Sequence, residues 1–277
     1  MTAGTGTPGA ALPEDAVTSL PVRRWRGGEW QQVDDNVAAE VPVALSYNSI
    51  PHVVMMATPQ DLEDMGVGFT VSESLVANYS ELRGVELDTS SGAFELRLSV
   101  TGSRLGEMLQ RRRNLTGRTG CGVCGAETVE DAIRRPPPVP AGGATTRERL
   151  GAALRQLRAL QPLGALAGSL HAAAWVKWTG ELHLVREDVG RHNALDKLIG
   201  AKLRRGESLA DGYVMVTSRA SYEMVQKAAT LGIRMLVAVS APTSLGVGLA
   251  RDCGLTLGGF AREDQQVIYS HPERVHE

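Results

Sequence analysis

At 277 residues and 29.5 kDa, the chain is long enough for one large domain or two small ones. With 43% hydrophobic and 22% charged residues a folded core is expected, and with aromatics at 4% it must be built mainly from Ala, Val, Leu, Ile and Met. A formal net charge of −2 excludes the basic excess of a general nucleic-acid binder, and three cysteines are too few for a disulfide scaffold.

The first residues, MTAGTGTPGAALPEDAV, lack the basic and apolar regions of a signal peptide. No apolar run approaches the ~18 residues of a membrane span. The expectation is a cytosolic protein with no membrane partner. Residues 1–20, rich in Ala, Gly, Thr and Pro, read as a disordered tail, with folded sequence from about Val22. Segments 41–48 and 52–58 read as two strands around Asn48-Ser49-Ile50-Pro51. Thr58-Pro59-Gln60-Asp61 then reads as a helix start, with Thr58 as cap and Pro59 in the first turn, running to about Leu75. Gly66 and Gly68 weaken that helix but allow a neighbour to pack closely. Phe94, Leu96, Leu98 and Val100 alternate with polar residues, a half-buried strand that pairs with 85–88 in a hairpin. A short helix is expected over 103–113.

Segment 114–127 is glycine-rich and irregular, and 136–144 (PPPVPAGGA) is a Pro/Gly linker. Thr145 with Glu148 fits a capping box, followed by Leu150, Leu154, Leu157 and Leu160 on one helical face. From residue 163 onward, strands at 183–187, 213–218, 233–240 and 255–261 alternate with helices at 193–203, 221–231 and 243–253. Such βαβ units form a mainly parallel sheet. The expected organisation is a tail (1–20), an α+β part (21–135) ending in the cysteine loop, the linker (136–144), and a C-terminal α/β part (145–277) that joins the N-terminal part in one composite domain.

Cys121-Gly122-Val123-Cys124 is the sharpest chemical feature. Gly117, Gly120, Gly122 and Gly125 surround it, and Arg111, Arg112, Arg113 and Arg118 precede it. Thiolate is the reactive form of cysteine and nearby positive charge favours it, while glycines keep the sulfur reachable. Three uses compete: half of a zinc site, a redox pair, and a sulfur carrier holding a persulfide. Structural zinc takes four ligands, whereas this chain has one CxxC, a lone Cys253 and six scattered histidines. A redox CxxC sits at a helix N-terminus after a strand. A mobile basic loop suits the carrier best. A zinc deaminase needs H-x-E before P-C-x-x-C, but Gly120 precedes Cys121 and His271-Pro272-Glu273 lies downstream. Cys253 reads as a small buried hydrophobe.

Three strand ends in the C-terminal half are ready for an anion: Ser218-Arg219-Ala220-Ser221, Ser240-Ala241-Pro242-Thr243-Ser244, and Gly258-Gly259-Phe260-Ala261-Arg262. Taken singly, serine and threonine before a helix are most often plain caps. Together they suit a phosphorylated ligand, with Phe260 able to stack and Arg219 and Arg262 able to pair a phosphate. No Walker or dinucleotide-binding glycine pattern is present. Glu187-Asp188-Val189-Gly190-Arg191-His192-Asn193 either orients a ligand or forms a capping and ion-pair network. His171 reads as a core histidine.

The segments RTGCGVCG, HAAAW, REDVGRHNALDK, SRASYEMVQKAA, APTSLGVGLA and GGFAR together resemble the FdhD family, the formate dehydrogenase accessory sulfurtransferases, from about residue 20 to the C-terminus. The resemblance implies an α/β fold similar to cytidine deaminases without their zinc site, a mixed or parallel sheet flanked by helices, and a homodimer. It implies a sulfurtransferase that takes a persulfide from a cysteine desulfurase. The sulfur passes to molybdenum (or tungsten) bis(molybdopterin guanine dinucleotide), bound as a substrate, for the formate dehydrogenase catalytic subunit; no permanent metal is expected. By position, Cys121 would hold the persulfide and Cys124 assist. Phe260, Ala261, Arg262, Glu263, Asp264 and Gln265 match the cofactor-binding stretch, to which Ser218 and Arg219 add an anion-ready loop. Two departures stand out: Glu263 where the family has glycine, and Ala167-Gly168-Ser169-Leu170-His171 where it has TG-x-H. A chaperone that delivers the cofactor without chemistry and a zinc-stabilised interaction protein are the alternative classes.

Overall fold

In the computed structural model, which describes residues 16–113 and 135–277, chain folding begins earlier than the composition suggests. Val17–Arg26 (β1) and Glu29–Ala38 (β2) form a separate antiparallel ribbon. Its turn is Gly27-Gly28, both at positive φ, a conformation glycine adopts without steric penalty. The reading of residues 16–20 as part of a disordered tail is therefore corrected: hydrogen-bonded strand pairing holds them from Val17 onward. Residues 1–15 and the thiol segment 114–134 lie outside the described residues.

Val41–Tyr47 (β3), Ile50–Ala57 (β4), Leu82–Asp88 (β5) and Phe94–Val100 (β6) form a four-stranded sheet in the order β4-β3-β6-β5, with Leu62–Ser72 (α1) between β4 and β5 and Gly102–Arg113 (α2) after β6. Downstream come Thr145–Thr146 (β7), Arg147–Ala159 (α3), Pro162–Ala167 (α4), His171–Lys177 (β8), Leu182–Asp188 (β9) and Arg191–Arg204 (α5). The chain continues through Gly212–Val216 (β10), Tyr222–Thr230 (α6), Met235–Ala238 (β11), Ser244–Cys253 (α7), Thr256–Gly259 (β12), Val267–Ser270 (β13) and Val275–His276 (β14). The large sheet has the order β13-β12-β11-β10-β8-β9.

The α/β class is as expected, but only the centre of this sheet is parallel: β10 with β11, and β11 with β12. Strands β8, β9 and β13 join antiparallel. The loops 178–181 and 260–266 are too short for a parallel crossover, which takes a dozen or more residues. Both faces of the sheet are covered. Ala173, Trp175, Val214, Val216, Leu236 and Ala238 belong to one apolar cluster with α5 and α6. Their neighbours Ala172, Ala174, Val176, Met215 and Val237 belong to another with Leu150, Leu154 and Leu157 of α3. Burial on both faces is why these strands read as apolar runs.

The two sheets are joined by α1 packed on α5. The backbones approach so closely that a Cβ at Gly68 would stand 1.8 Å from the carbonyl oxygen of Asp196, and one at Gly200 1.9 Å from that of Asp64. The glycine that weakens α1 by propensity thus sets its packing distance. The start of α1 departs from expectation. Its N-cap is Asp61, in the left-handed conformation at φ 52°, not Thr58. Thr58 is already engaged: its N–H donates to Asp188 Oδ2 at 3.0 Å and its Oγ1 accepts from Val189 N at 3.2 Å. Likewise the cap of α3 is Thr146, which accepts from Arg149 N at 3.3 Å, because Thr145 pairs with Val275 in β7–β14. Gly68→Ala forces α1 and α5 apart and is expected to destabilise the protein by at least about 2 kcal/mol in urea unfolding. Gly84→Ala, whose Cβ would meet nothing within 4 Å, is the near-neutral control.

Candidate functional site

Because β10, β11 and β12 are parallel neighbours, their carboxyl ends stand side by side. The three anion-ready segments are therefore brought together. Val239 N donates to Val216 O at 2.8 Å, Thr243 N to Ala220 O at 3.0 Å, and Phe260 N to Ser240 O at 3.0 Å. Strand β8 runs antiparallel to β10, so its first residue, His171, begins at the same edge, where Ala172 N donates to Thr217 Oγ1 at 2.9 Å. Asp188, the last residue of β9, stands opposite His171. Five adjacent strands, β12, β11, β10, β8 and β9, thus build one edge.

Along that edge the side chains differ in role. Ser218 is buried and donates to Arg219 O at 3.1 Å, while Arg219 itself is exposed. Thr243 is an ordinary cap, accepting from Gly246 N at 3.2 Å. Phe260 is 44% exposed and held at φ 48°, a conformation a bulky residue rarely adopts. Ala261 is buried in the cluster under α3. Arg262 is exposed and anchored through Nη1, which donates to Val239 O at 2.7 Å and Ala261 O at 3.0 Å. Glu263 pairs with Arg158 at 3.0 Å and Arg155 at 3.9 Å on α3. Asp264 and Gln265 are exposed, and Gln265 O accepts from Arg262 N at 2.6 Å. Cys121 and Cys124 lie outside the described residues.

The charged segment 187–193 resolves into a buried knot. Asp188 and Lys197, both fully buried, meet at 2.6 Å. Asp188 Oδ1 accepts from Gly190 N at 2.7 Å and Asn193 Nδ2 at 2.9 Å, and Oδ2 accepts from Thr58 N at 3.0 Å. Lys197 Nζ donates to Thr58 O at 3.0 Å, and Asn193 Nδ2 to Met56 O at 2.7 Å. Glu187 caps α4, accepting from Leu163 N at 3.0 Å and Gly164 N at 2.8 Å, although burial still raises its pKa. Of the two readings of this segment, Glu187, Asp188 and Asn193 follow the network.

Arg191 and His192 do not. Arg191 Nε and His192 Nε2 are buried without a hydrogen-bond partner among the described residues, and His192 stands 4.0 Å from Glu223. Burial, with Lys227 and Arg191 adding positive charge, depresses the His192 pKa to about 4. His171 is half-buried, not a core residue; it starts β8 at the sheet edge, and burial and then Arg191 lower its pKa. Cys253 is buried, with its thiol pKa pushed up by burial.

Sequence reasoning missed a second buried cluster, under α1. Lys227 Nζ lies 2.9 Å from Asp196, 2.9 Å from Ser72 Oγ and 3.0 Å from Glu73. Its only sequence signal was a lysine inside an otherwise apolar helix face. Among the described residues, no three His, Cys, Asp or Glu side chains are grouped to hold a metal ion, and no helix is long and apolar enough to cross a membrane.

A mixed six-stranded sheet covered on both faces, with loops converging at the carboxyl ends of its parallel core, defines an α/β protein with an edge suited to an anionic ligand. The FdhD/NarQ family profile matches residues 38–276, and the chain belongs to that family. Sulfur carrier protein FdhD of Xanthomonas campestris pv. campestris is 49% identical over 271 residues, covering 98% of this chain and 96% of the relative. The Cupriavidus necator protein of the same name is 48% identical over 258 residues, covering 93% and 90%. A solved structure from Desulfotalea psychrophila, provisionally named a formate dehydrogenase accessory protein, superposes with a TM-score of 0.77 at 25% identity, covering 94% of this chain and 99% of the other.

Asp188→Ala leaves the Lys197 ammonium buried and unpaired and is expected to lower stability by about 3–5 kcal/mol; removing both charges in Asp188→Ala/Lys197→Met recovers part of the loss in urea unfolding. For His192 the linkage runs one way. The folded pKa lies below the unfolded value of ~6.5, so between about pH 6.5 and 4 the unfolded chain binds a proton that the folded chain does not. Stability therefore falls as pH drops through that window and levels off below it. An NMR titration of the His192 ring should have its midpoint near pH 4, and His192→Gln should flatten that part of the stability profile.

Proposed function

We propose that this chain is a sulfurtransferase that carries a persulfide on Cys121, assisted by Cys124, from a cysteine desulfurase to molybdenum bis(molybdopterin guanine dinucleotide) for the formate dehydrogenase catalytic subunit. The observation that carries the reading is near-full-length similarity to named sulfur carriers in a chain whose one CxxC is preceded by arginines. Electropositive surroundings raise the thiolate fraction of a cysteine. In the loading step the Cys121 thiolate attacks the terminal sulfur of the donor persulfide. The new S–S bond forms on Cys121 and the donor leaves as a thiolate.

The carboxyl edge supports the acceptor half of the reading. A guanylyl pterin brings a purine and pyrophosphates, and the edge offers exposed Arg219 and Arg262 and the exposed ring of Phe260. Glu263 does not oppose an anion there, since Arg158 and Arg155 neutralise it from α3. The family's likeness to cytidine deaminases, its action in the cytosol and its assembly as a homodimer belong to the same proposal.

Intact-protein mass spectrometry after incubation with a cysteine desulfurase and cysteine tests the loading step. Wild type should gain a reducible mass of about one sulfur, Cys121→Ala should not, and formate dehydrogenase activation should fall to background in Cys121→Ala. Full activation by Cys121→Ala, with activation lost in Arg219→Ala or Arg262→Ala, would instead support a chaperone that delivers the cofactor without chemistry.

A further inference from the structure

Arg191 Nε and His192 Nε2, at the start of α5, are buried without a hydrogen-bond partner among the described residues. A buried donor left unpaired is costly, most of all on a charged group, and native folds retain such groups chiefly at functional sites. The nearby carboxylates do not relieve them. Asp188 is committed to Lys197, Thr58, Gly190 and Asn193, and Glu187 to the first turn of α4. Glu223, on α6, stops 4.0 Å from His192 Nε2, beyond hydrogen-bond distance.

The two nitrogens belong to a larger group. Burial and then Arg191 lower the pKa of His171, and burial, Lys227 and Arg191 lower that of His192. The guanidinium therefore stands within charge reach of both rings, and both are uncharged at neutral pH. His171 is half-buried at the head of β8, which opens the group to the surface. Lys227 adds no free charge, because Asp196 and Glu73 pair with it. What the group offers is one permanent cation and neutral ring N–H donors, which is the chemistry of a site for an anion.

The place of the group along the edge says which part of the ligand it meets. Phe260 follows β12, Arg219 follows β10, His171 begins β8 and Arg191 lies just beyond β9, in a sheet ordered β12-β11-β10-β8-β9. At about 4.8 Å per strand, Arg219 is about 10 Å along the edge from the Phe260 end, and the His171–Arg191 group about 14–19 Å. A guanylyl pterin has its parts in the same order: a purine, a pyrophosphate, and a pterin whose dithiolene sulfurs hold the metal. We propose that His171 and Arg191 contact the anionic, metal-bearing head of that substrate, the end that receives sulfur, while Phe260 and Arg219 hold its purine and pyrophosphate. The proposal rests on the acceptor half of the reading above and adds the direction in which the substrate lies. His192, neutral behind Arg191, is a positioning residue that keeps a second imidazole against the guanidinium without a further positive charge.

Anaerobic binding to the full chain tests it with two probes: guanosine diphosphate, which has the purine and pyrophosphate but no pterin or metal, and intact molybdenum bis(molybdopterin guanine dinucleotide). Arg191→Met and His171→Ala should each leave the affinity for guanosine diphosphate within about twofold and weaken the intact cofactor at least about tenfold. Phe260→Ala and Arg219→Ala should weaken both probes. In NMR spectra the intact cofactor should shift the His171 ring signals and guanosine diphosphate should not. Arg191→Met should also hold or raise the urea midpoint, since it removes a buried charge that has no hydrogen-bonded partner; a lowered midpoint would make the arginine a structural group and overturn the proposal. Equal loss of both probes in Arg191→Met and His171→Ala would overturn it by assigning the group to the phosphates, and unchanged binding of the intact cofactor would overturn it as well. The two levels of failure separate in the wild type. Binding of the cofactor that neither variant alters leaves the acceptor reading standing and removes only the direction, whereas a wild type that binds neither probe sinks that reading and this proposal together.

Discussion

One ion pair with no exposure to water, Asp188 with Lys197, organises the carboxyl edge of the large sheet. Two charges removed from water are favourable only when every remaining lone pair and proton is satisfied. Here the satisfying groups come from far apart in the chain. Thr58 follows β4, an edge strand of the small sheet, while Gly190 precedes α5 and Asn193 and Lys197 lie in its first two turns. The small sheet is thereby fastened to the large one at the carboxyl edge. The knot also fixes the turn that presents Arg191 and His192, whose buried nitrogens are left over from it.

A second constraint acts at a distance from that edge. Helices α1 and α5 touch through glycine, with no room for a Cβ at Gly68 or Gly200. At that separation the charged groups across the interface are within reach of one another: Arg186 and Arg204 both pair with Asp64 at 2.9 and 2.6 Å, and Lys227 pairs with Asp196 and Glu73. Burial works against the charge of Lys227, but the two carboxylates outweigh it and raise its pKa. Close backbone contact and buried ion pairs therefore depend on each other. Widening the helix pair would leave the charges in a low dielectric without their partners.

Much of this was legible in the sequence, and the exceptions share a cause. The alternation of strand and helix after residue 163 survives because periodicity is local, and the convergence of three loops follows once those strands are taken as parallel neighbours. What failed involved partners far along the chain. Thr58 looks like a cap by its neighbours, yet Asp188, 130 residues away, has taken its N–H. Thr145 looks like a cap, yet it is paired to the C-terminal strand. The 187–193 segment could be seen to be charged but not to be satisfied. The β1–β2 ribbon is a different kind of miss. Trp-Arg-Gly-Gly-Glu-Trp at 25–30 is a local hairpin signal, overshadowed by the low-complexity residues that precede it.

The departure at Glu263 shows how the fold decides what a substitution means. Beside Arg262, a carboxylate would be expected to compete with any anionic ligand for the guanidinium. The loop 260–266 instead lies so close on α3 that a Cβ at Gly151 would stand 2.7 Å from Glu263 O. Arg155 and Arg158, one turn apart on that helix, receive the carboxylate. Arg262 spends one nitrogen on the carbonyls of Val239 and Ala261, which fixes the guanidinium plane and leaves its other donors to act from a set position. Glu263 therefore ties the loop that carries Arg262 to α3, so a carboxylate that reads as an obstacle in the sequence is neutralised in the fold.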